Sequence, residues 1–137
     1  MGGVIGNIKG LVCGVAFSLM PCTALAEVFA CEDVIGKWQG DHTYANGVYT
    51  RWQTEFKRNG LFVGRFFDRS GRQVEAQSGL WGCDGLFVMT RTVSSAGENM
   101  SFTYRIETLE ADFYRYIVVA DDGEIGPIFD AYRVLLP

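Results

Sequence analysis

The side chains that most often carry chemistry are few in this sequence, and they do not form catalytic patterns. His42 is the single histidine among 137 residues, whereas a zinc site needs three or four protein ligands. The paired acids Asp121 and Asp122 stand in a turn-forming stretch, where carboxylates are usually solvated. The sequence contains no nucleophile elbow, phosphate loop or dinucleotide fingerprint. It therefore predicts neither an enzyme nor a metal or cofactor site.

Aromatic side chains are the remaining candidates for a functional role, because 14% of the residues are Phe, Trp or Tyr. The length corresponds to one domain of ordinary size. The formal net charge of −4 and the pI of about 4.9 argue against a nucleic-acid-binding protein.

Residues 1–26 have the pattern of a secretory signal peptide. Lys9 precedes the apolar run 11–20, and the small residues Ala24 and Ala26 form a cleavage pattern. The apolar run is about half of the roughly 20 residues that span a bilayer, so a transmembrane anchor is the weaker alternative. These features predict export to the periplasm or the exterior.

The predicted mature domain covers residues 27–137 and has no transmembrane segment of its own. It holds 11 basic and 16 acidic residues, a net charge of −5, and two cysteines, Cys31 and Cys83. In an oxidising compartment two cysteines most simply form one disulfide. Two free, buried thiols are the alternative.

The mature domain consists of short alternating segments separated by turn signals, which is typical of an all-β protein. Pairs such as Asn46-Gly47 and Asn59-Gly60 favour tight hairpins, because these residue types tolerate positive φ. The predicted strands cover 34–44, 48–57, 61–67, 72–83, 86–93, 100–109, 113–120 and 128–136.

Alternation within these segments indicates one buried and one solvated face. Trp52 and Phe56 fall on one face of the second segment, and Phe102 and Tyr104 fall on one face of the sixth. All connections have hairpin length, so we expect an eight-stranded antiparallel up-and-down β-barrel in which the first strand closes against the last. An open sandwich is the alternative.

Short motifs resemble those of small bacterial lipocalin-like domains, members of the calycin group. Gly36-Lys37-Trp38 resembles the Gly-x-Trp signature, and Arg133 matches the last-strand arginine that packs across that tryptophan. Residues 56–62 and 78–82 are similar to the mid-chain motifs of these domains. The resemblance implies a structural role for Trp38 and Arg133 at the closed end. The chain lacks the helix and the long first loop of larger lipocalins, which implies a shallower cavity.

Two functions are compatible with such a barrel. The first is the binding of a small apolar or aromatic ligand near the open end, in an interior mostly filled by its aromatic rings. The inward residues nearest that end are His42, Tyr44, Trp52, Phe66, Thr90, Phe102 and Tyr104. The second is an interaction module of the cell envelope, such as a protease inhibitor or an assembly factor, acting through rim loops. An empty interior would favour the first function.

Charge is unevenly distributed along the domain. The stretch 51–72 holds six basic residues and two acids, while the stretch 98–124 holds seven acids and two arginines. Such runs usually form solvated surface. The alternative is that they orient an anionic ligand or a charged partner.

Overall fold

The structure, a computed structural model, describes residues 28–135, so the predicted signal peptide lies outside the described residues. A short 3₁₀-helix (Cys31–Val34) precedes all the strands. The strands are β1 (Gly36–Thr43), β2 (Tyr49–Phe56), β3 (Leu61–Phe67), β4 (Gln73–Cys83), β5 (Phe87–Ser94), β6 (Asn99–Leu109), β7 (Phe113–Val119) and β8 (Ile125–Arg133). Within the described part, no helix has the length and apolarity needed to cross a membrane.

The strands form one closed barrel in which each strand pairs antiparallel with its sequence neighbours. The predicted eight-stranded up-and-down barrel is therefore confirmed. The closing seam is short, since β1 and β8 pair only at Trp38 with Arg133 and at Gln39 with Tyr132. Towards the opposite end the two strands run on without ladder pairs.

The hairpin turns form where the sequence predicts them. At the β1–β2 turn, Gly47 adopts a φ of 88°, and Asn46 Oδ1 accepts a hydrogen bond of 3.0 Å from the Val48 amide. Positive φ costs glycine little because it has no Cβ. Short turns of this kind leave two rims of loops, one at each end of the barrel.

The closed end is built around Trp38, whose side chain is fully buried. Its indole Nε1 donates to the Val34 carbonyl at 2.8 Å, and the Arg133 guanidinium lies 4.2 Å from the centre of its ring. Arg133 also donates to the carbonyls of Ile35 and Asp33, at 2.8 and 2.9 Å. The arginine thus ties the last strand to the segment that precedes the first.

A disulfide between Cys31 and Cys83 lies at the same end. It joins the 3₁₀-helix to the last residue of β4, as the meander topology predicts. Around it the interior is packed with buried apolar side chains, among them Phe56, Val88 and Tyr114. This half of the barrel is filled, so any interior site has to lie towards the other end.

Candidate ligand-binding site

A cavity of about 360 Å³ occupies the open-end half of the barrel. It lies among the inward side chains at the end of β1, the start of β2, the end of β3 and the start of β4, and the strands from β6 to β8 complete the wall. The lining residues are Tyr44, Thr50, Trp52, Thr54, Phe62, Phe66, Val74, Glu75, Gln77, Phe102, Tyr104, Tyr116, Val118 and Phe129. This volume is at the lower end of the range for small-molecule sites.

Aromatic rings that hold one another in place form most of the wall. The Trp52 ring meets Phe129 edge-on at a centroid distance of 5.4 Å, and Tyr104 meets Tyr116 edge-on at 5.1 Å. Phe102 stacks along Tyr104 at 6.2 Å. Edge-to-face and offset arrangements are the favourable geometries for aromatic pairs. The wall is therefore preformed and can accept a flat apolar body.

The structure brings together five of the seven side chains that the sequence placed near the open end. The five that line the cavity are Tyr44, Trp52, Phe66, Phe102 and Tyr104. The other two, His42 and Thr90, are not among its lining residues.

His42 packs into an aromatic cluster. Its ring lies 4.6 Å from that of Tyr44 and 4.8 Å from that of Phe129, both edge-on. The side chain is half-buried and reaches the outer seam between β1 and β8. Thr90 is buried on the inner face of β5 beside Tyr104. Both side chains thus lie against residues that line the cavity.

A polar strip on β4 and β5 was not singled out from the sequence. Gln77 Nε2 donates to Glu75 Oε2 at 2.8 Å, and Thr92 Oγ1 donates to Gln77 Oε1 at 3.3 Å. Gln77 and Thr92 are buried. The sequence does contain a signal for these residues. Glu75 and Gln77 alternate along β4 with the inward-facing Trp81, so they lie on the same face of the strand, but they were not considered because the search was for aromatic residues.

The phenols around the cavity are held neutral by burial. Loss of hydration raises the pKa of Tyr104 to about 12. It raises the pKa of Tyr116 well above the usual value, and the neighbouring phenols of Tyr114 and Tyr104 add to the effect. Burial disfavours the charged form of a group. These phenols therefore stay uncharged at alkaline pH values at which an exposed tyrosine ionises.

Some buried polar atoms have no protein partner within the described residues. These are Trp52 Nε1, Thr54 Oγ1 and Thr90 Oγ1. The Thr54 and Thr90 hydroxyls face the phenols of Tyr114 and Tyr104, yet neither pair meets hydrogen-bond geometry. Unsatisfied polar groups are few in native interiors and call for an explanation. Two of the residues concerned, Trp52 and Thr54, line the cavity.

A second concavity, of about 670 Å³, lies outside the barrel along the β1–β8 seam. Its charged walls are already partnered, since Arg115 Nε lies 2.7 Å from Asp130 Oδ1 and Arg115 Nη2 lies 3.0 Å from Asp130 Oδ2. It is larger than the interior cavity but lacks an enclosing aromatic wall, so we take the interior cavity as the candidate site. Residues 28–135 contain no group of three or more His, Cys, Asp or Glu arranged to hold a metal ion.

Comparison with known proteins shows similarity only at the level of structure. No known protein-family profile matches the chain, and no curated protein matches it. A lipocalin-like protein from Bacteroides uniformis aligns with a TM-score of 0.48 and 17% identity over 75% of this chain and 99% of its own. A redesigned β-barrel aligns with a TM-score of 0.52 and 14% identity over 80% of this chain and 97% of its own.

The topology defines the class of protein. A closed eight-stranded antiparallel meander, with Trp38 and Arg133 clasped across its closing seam, is a lipocalin-like barrel. The barrel topology agrees with the fold that the sequence resemblance implies.

Proposed function

We propose that this protein is an exported binding protein, not an enzyme, and that it holds a small apolar or aromatic ligand in the open-end cavity. The observation that carries the proposal is the cavity of about 360 Å³ with its wall of packed aromatic rings. Barrels of this size either fill with side chains or enclose one small ligand. Here the closed-end half is filled and the open-end half is not, which supports ligand binding over a role confined to the rim loops.

Burial of an apolar ligand face against these rings contributes about 25 cal/mol per Å² of apolar surface. The lining also includes the hydroxyl-bearing residues Tyr44 and Thr50, which can orient a ligand. A few convergent polar groups in a mainly apolar pocket are typical of small-molecule sites.

Tryptophan fluorescence tests the proposal, because Trp52 lines the cavity whereas Trp38 and Trp81 do not. We expect members of a panel of neutral aromatic alcohols to change the emission of the parent protein. The Trp52→Phe variant should lose that change while keeping the fold.

A matched pair of variants on β7 separates occupation of the cavity from contact with the outer wall. Val118 lines the cavity, and the next residue, Val119, borders a shallow depression outside the barrel. Val118→Phe should abolish binding measured by calorimetry, and Val119→Phe should preserve it. The proposal fails if no panel member binds the parent, or if both variants bind like the parent.

A further inference from the structure

The open-end cavity carries a single formal charge. Among the described residues that line it, Glu75 is the only acidic one, and no lysine or arginine joins it. The other lining groups are aromatic rings, aliphatic side chains, hydroxyls and one amide. An apolar ligand alone does not require a carboxylate at this place.

The Glu75 carboxylate is fixed by its neighbours. Glu75 pairs with Phe66 across β3 and β4, next to a register shift between Phe66 and Phe67. A bulge of this kind re-aims side chains at a barrel rim. The buried chain from Thr92 through Gln77 then donates to one oxygen of the carboxylate. Preorganisation of this sort reduces the ordering cost of binding.

Aromatic residues share the cavity wall with the carboxylate. Phe66 lies directly across the ladder from Glu75, and Phe102 and Tyr104 form part of the same cavity wall. A cation near an aromatic face is attracted by the negative face of the ring. Carboxylate and rings thus favour the same sign of ligand charge.

The loops of the open-end rim add to this preference. The carboxylates of the three charged loops there are Asp68, Glu98, Asp121, Asp122 and Glu124, and the two guanidiniums are Arg69 and Arg72. Arg72 pairs with Asp68 at 3.4 Å, and Arg69 lies over the Tyr49 ring at 4.7 Å. A rim of one dominant sign raises the local concentration of oppositely charged ligands.

The basic side chains of the stretch 51–72 are not among those that line the cavity. Arg51 lies 4.9 Å from the centre of the Phe67 ring, and neither residue lines the cavity. The Arg51 side chain instead borders the second concavity, outside the barrel, together with Asp41. The basic residues therefore give no support to an anionic ligand in the interior.

We propose that the ligand is a cationic amine carried on an aromatic or apolar body. Its ammonium group binds Glu75 at the mouth, and its body lies against Trp52 and Phe102. This inference rests on the proposed function, because it names the class of ligand that the same cavity takes.

Three probes of nearly equal size test the charge preference: phenethylamine, phenethyl alcohol and phenylacetate, titrated by calorimetry into the folded protein. Because hydrogen bonds to charged groups are stronger than neutral ones, we expect the amine to bind about tenfold more tightly than the alcohol. Phenylacetate should bind more weakly than both.

The variant Glu75→Gln keeps an acceptor for Gln77 and removes the charge. We expect its affinity for the alcohol to be unchanged and its preference for the amine to disappear. Glu98→Gln, which neutralises an exposed rim carboxylate outside the cavity lining, is the matched control and should change amine affinity by less than about twofold.

Equal affinities of the parent for amine and alcohol overturn the charge inference and leave the proposed function standing. Retention of the amine preference in Glu75→Gln has the same consequence. Absence of binding by all three probes overturns both proposals.

Discussion

Arg133 and Trp38 close the barrel at the level of single side chains. The guanidinium covers the indole and hydrogen-bonds three carbonyls, those of Asp33, Ile35 and Ala111. These carbonyls belong to the segment before β1 and to the turn between β6 and β7, so one side chain links parts of the chain that are far apart in the sequence. The planar fork of arginine suits this arrangement, and a lysine would not reproduce it.

A double-mutant cycle checks this clasp. Trp38→Ala should lower the free energy of unfolding by roughly 3–5 kcal/mol, as large aromatic truncations in cores do. Arg133→Ala should cost less, and the two effects should couple by about 1 kcal/mol because the side chains touch. Arg133→Lys, which keeps the charge, should resemble Arg133→Ala. Urea unfolding of the four proteins measures these values, and strictly additive effects would contradict the clasp.

The buried tyrosines give the stability an alkaline limit. The pKa of Tyr104 is raised from 10.0 to about 12, so the unfolded chain loses this proton first as the pH rises. The stability from its buried neutral phenol is fully present below pH 10.0 and is lost as the pH rises towards about 12. For one such phenol, the free energy of unfolding falls by up to about 1.4 kcal/mol per pH unit in this range.

We therefore expect the free energy of unfolding to fall more steeply in the parent than in Tyr104→Phe across this alkaline window. Urea titrations at several pH values measure both slopes, and comparison at neutral pH removes the effect of the lost hydroxyl. Identical slopes in the two proteins would count against a neutral, buried phenol at this position.

At the scale of strands, two glycines of β4 differ in what surrounds them. A Cβ on Gly79 would collide with the Arg91 carbonyl oxygen and approach the Thr92 Cα to 2.8 Å, whereas a Cβ on Gly82 would meet open space. β4 and β5 therefore pack backbone against backbone at Gly79, which helps to curve the sheet into a barrel.

Gly79→Ala should destabilise the protein by about 1–3 kcal/mol, the usual cost of forcing atoms into a packed place. Gly82→Ala should stay within about 0.5 kcal/mol of the parent, because it lies on an open surface. Thermal unfolding of the two variants, which lie three residues apart on one strand, measures both effects. Equal losses would mean that strand propensity, not close approach, decides the cost.

Most strands follow from local sequence patterns, and the exceptions have physical reasons. The last strand begins at Ile125 rather than at the predicted residue 128. Pro127 argues against a strand there, but this part of β8 has no ladder pairs with β1, and an edge without a partner tolerates a residue that lacks an N–H. The 3₁₀-helix at Cys31–Val34 has no strong local signal, and its position depends on the distant Arg133 and Cys83.

The site was predicted less completely than the fold. Alternation is enough to place Trp52, Phe102 and Tyr104 inside, because the side-chain period of a strand is two. Alternation does not show which inward side chains line a cavity and which fill the interior. For this reason it could not predict that Tyr44 lines the cavity and Thr90 does not. The polar strip through Gln77 depends on a hydrogen bond between β4 and β5, a pairing that single-strand patterns do not encode.

At the scale of the whole molecule, the barrel divides into an end closed by the disulfide and the clasp and an end that holds the cavity. The 3₁₀-helix, the clasp and the Cys31–Cys83 bond all lie at the filled end. The cavity, Glu75 and the acidic rim lie at the other. The disulfide and the clasp therefore lie away from the proposed ligand site, and their removal should have little effect on probe binding there.

The disulfide tests this division together with the proposed export. It joins residues 52 positions apart, and the loss of chain entropy in the unfolded state corresponds to about 4 kcal/mol for such a loop. We expect the secreted protein to begin near Glu27 by N-terminal sequencing and to show no free thiol after unfolding without reductant.

Cys31→Ser combined with Cys83→Ser should lower the free energy of unfolding by about 4 kcal/mol and leave probe binding at the open end unchanged. Reduction of the parent should produce the same loss, while reductant should not affect the double variant. Two reactive thiols in the secreted protein would refute the disulfide, and loss of probe binding in a folded double variant would show that the two ends are coupled.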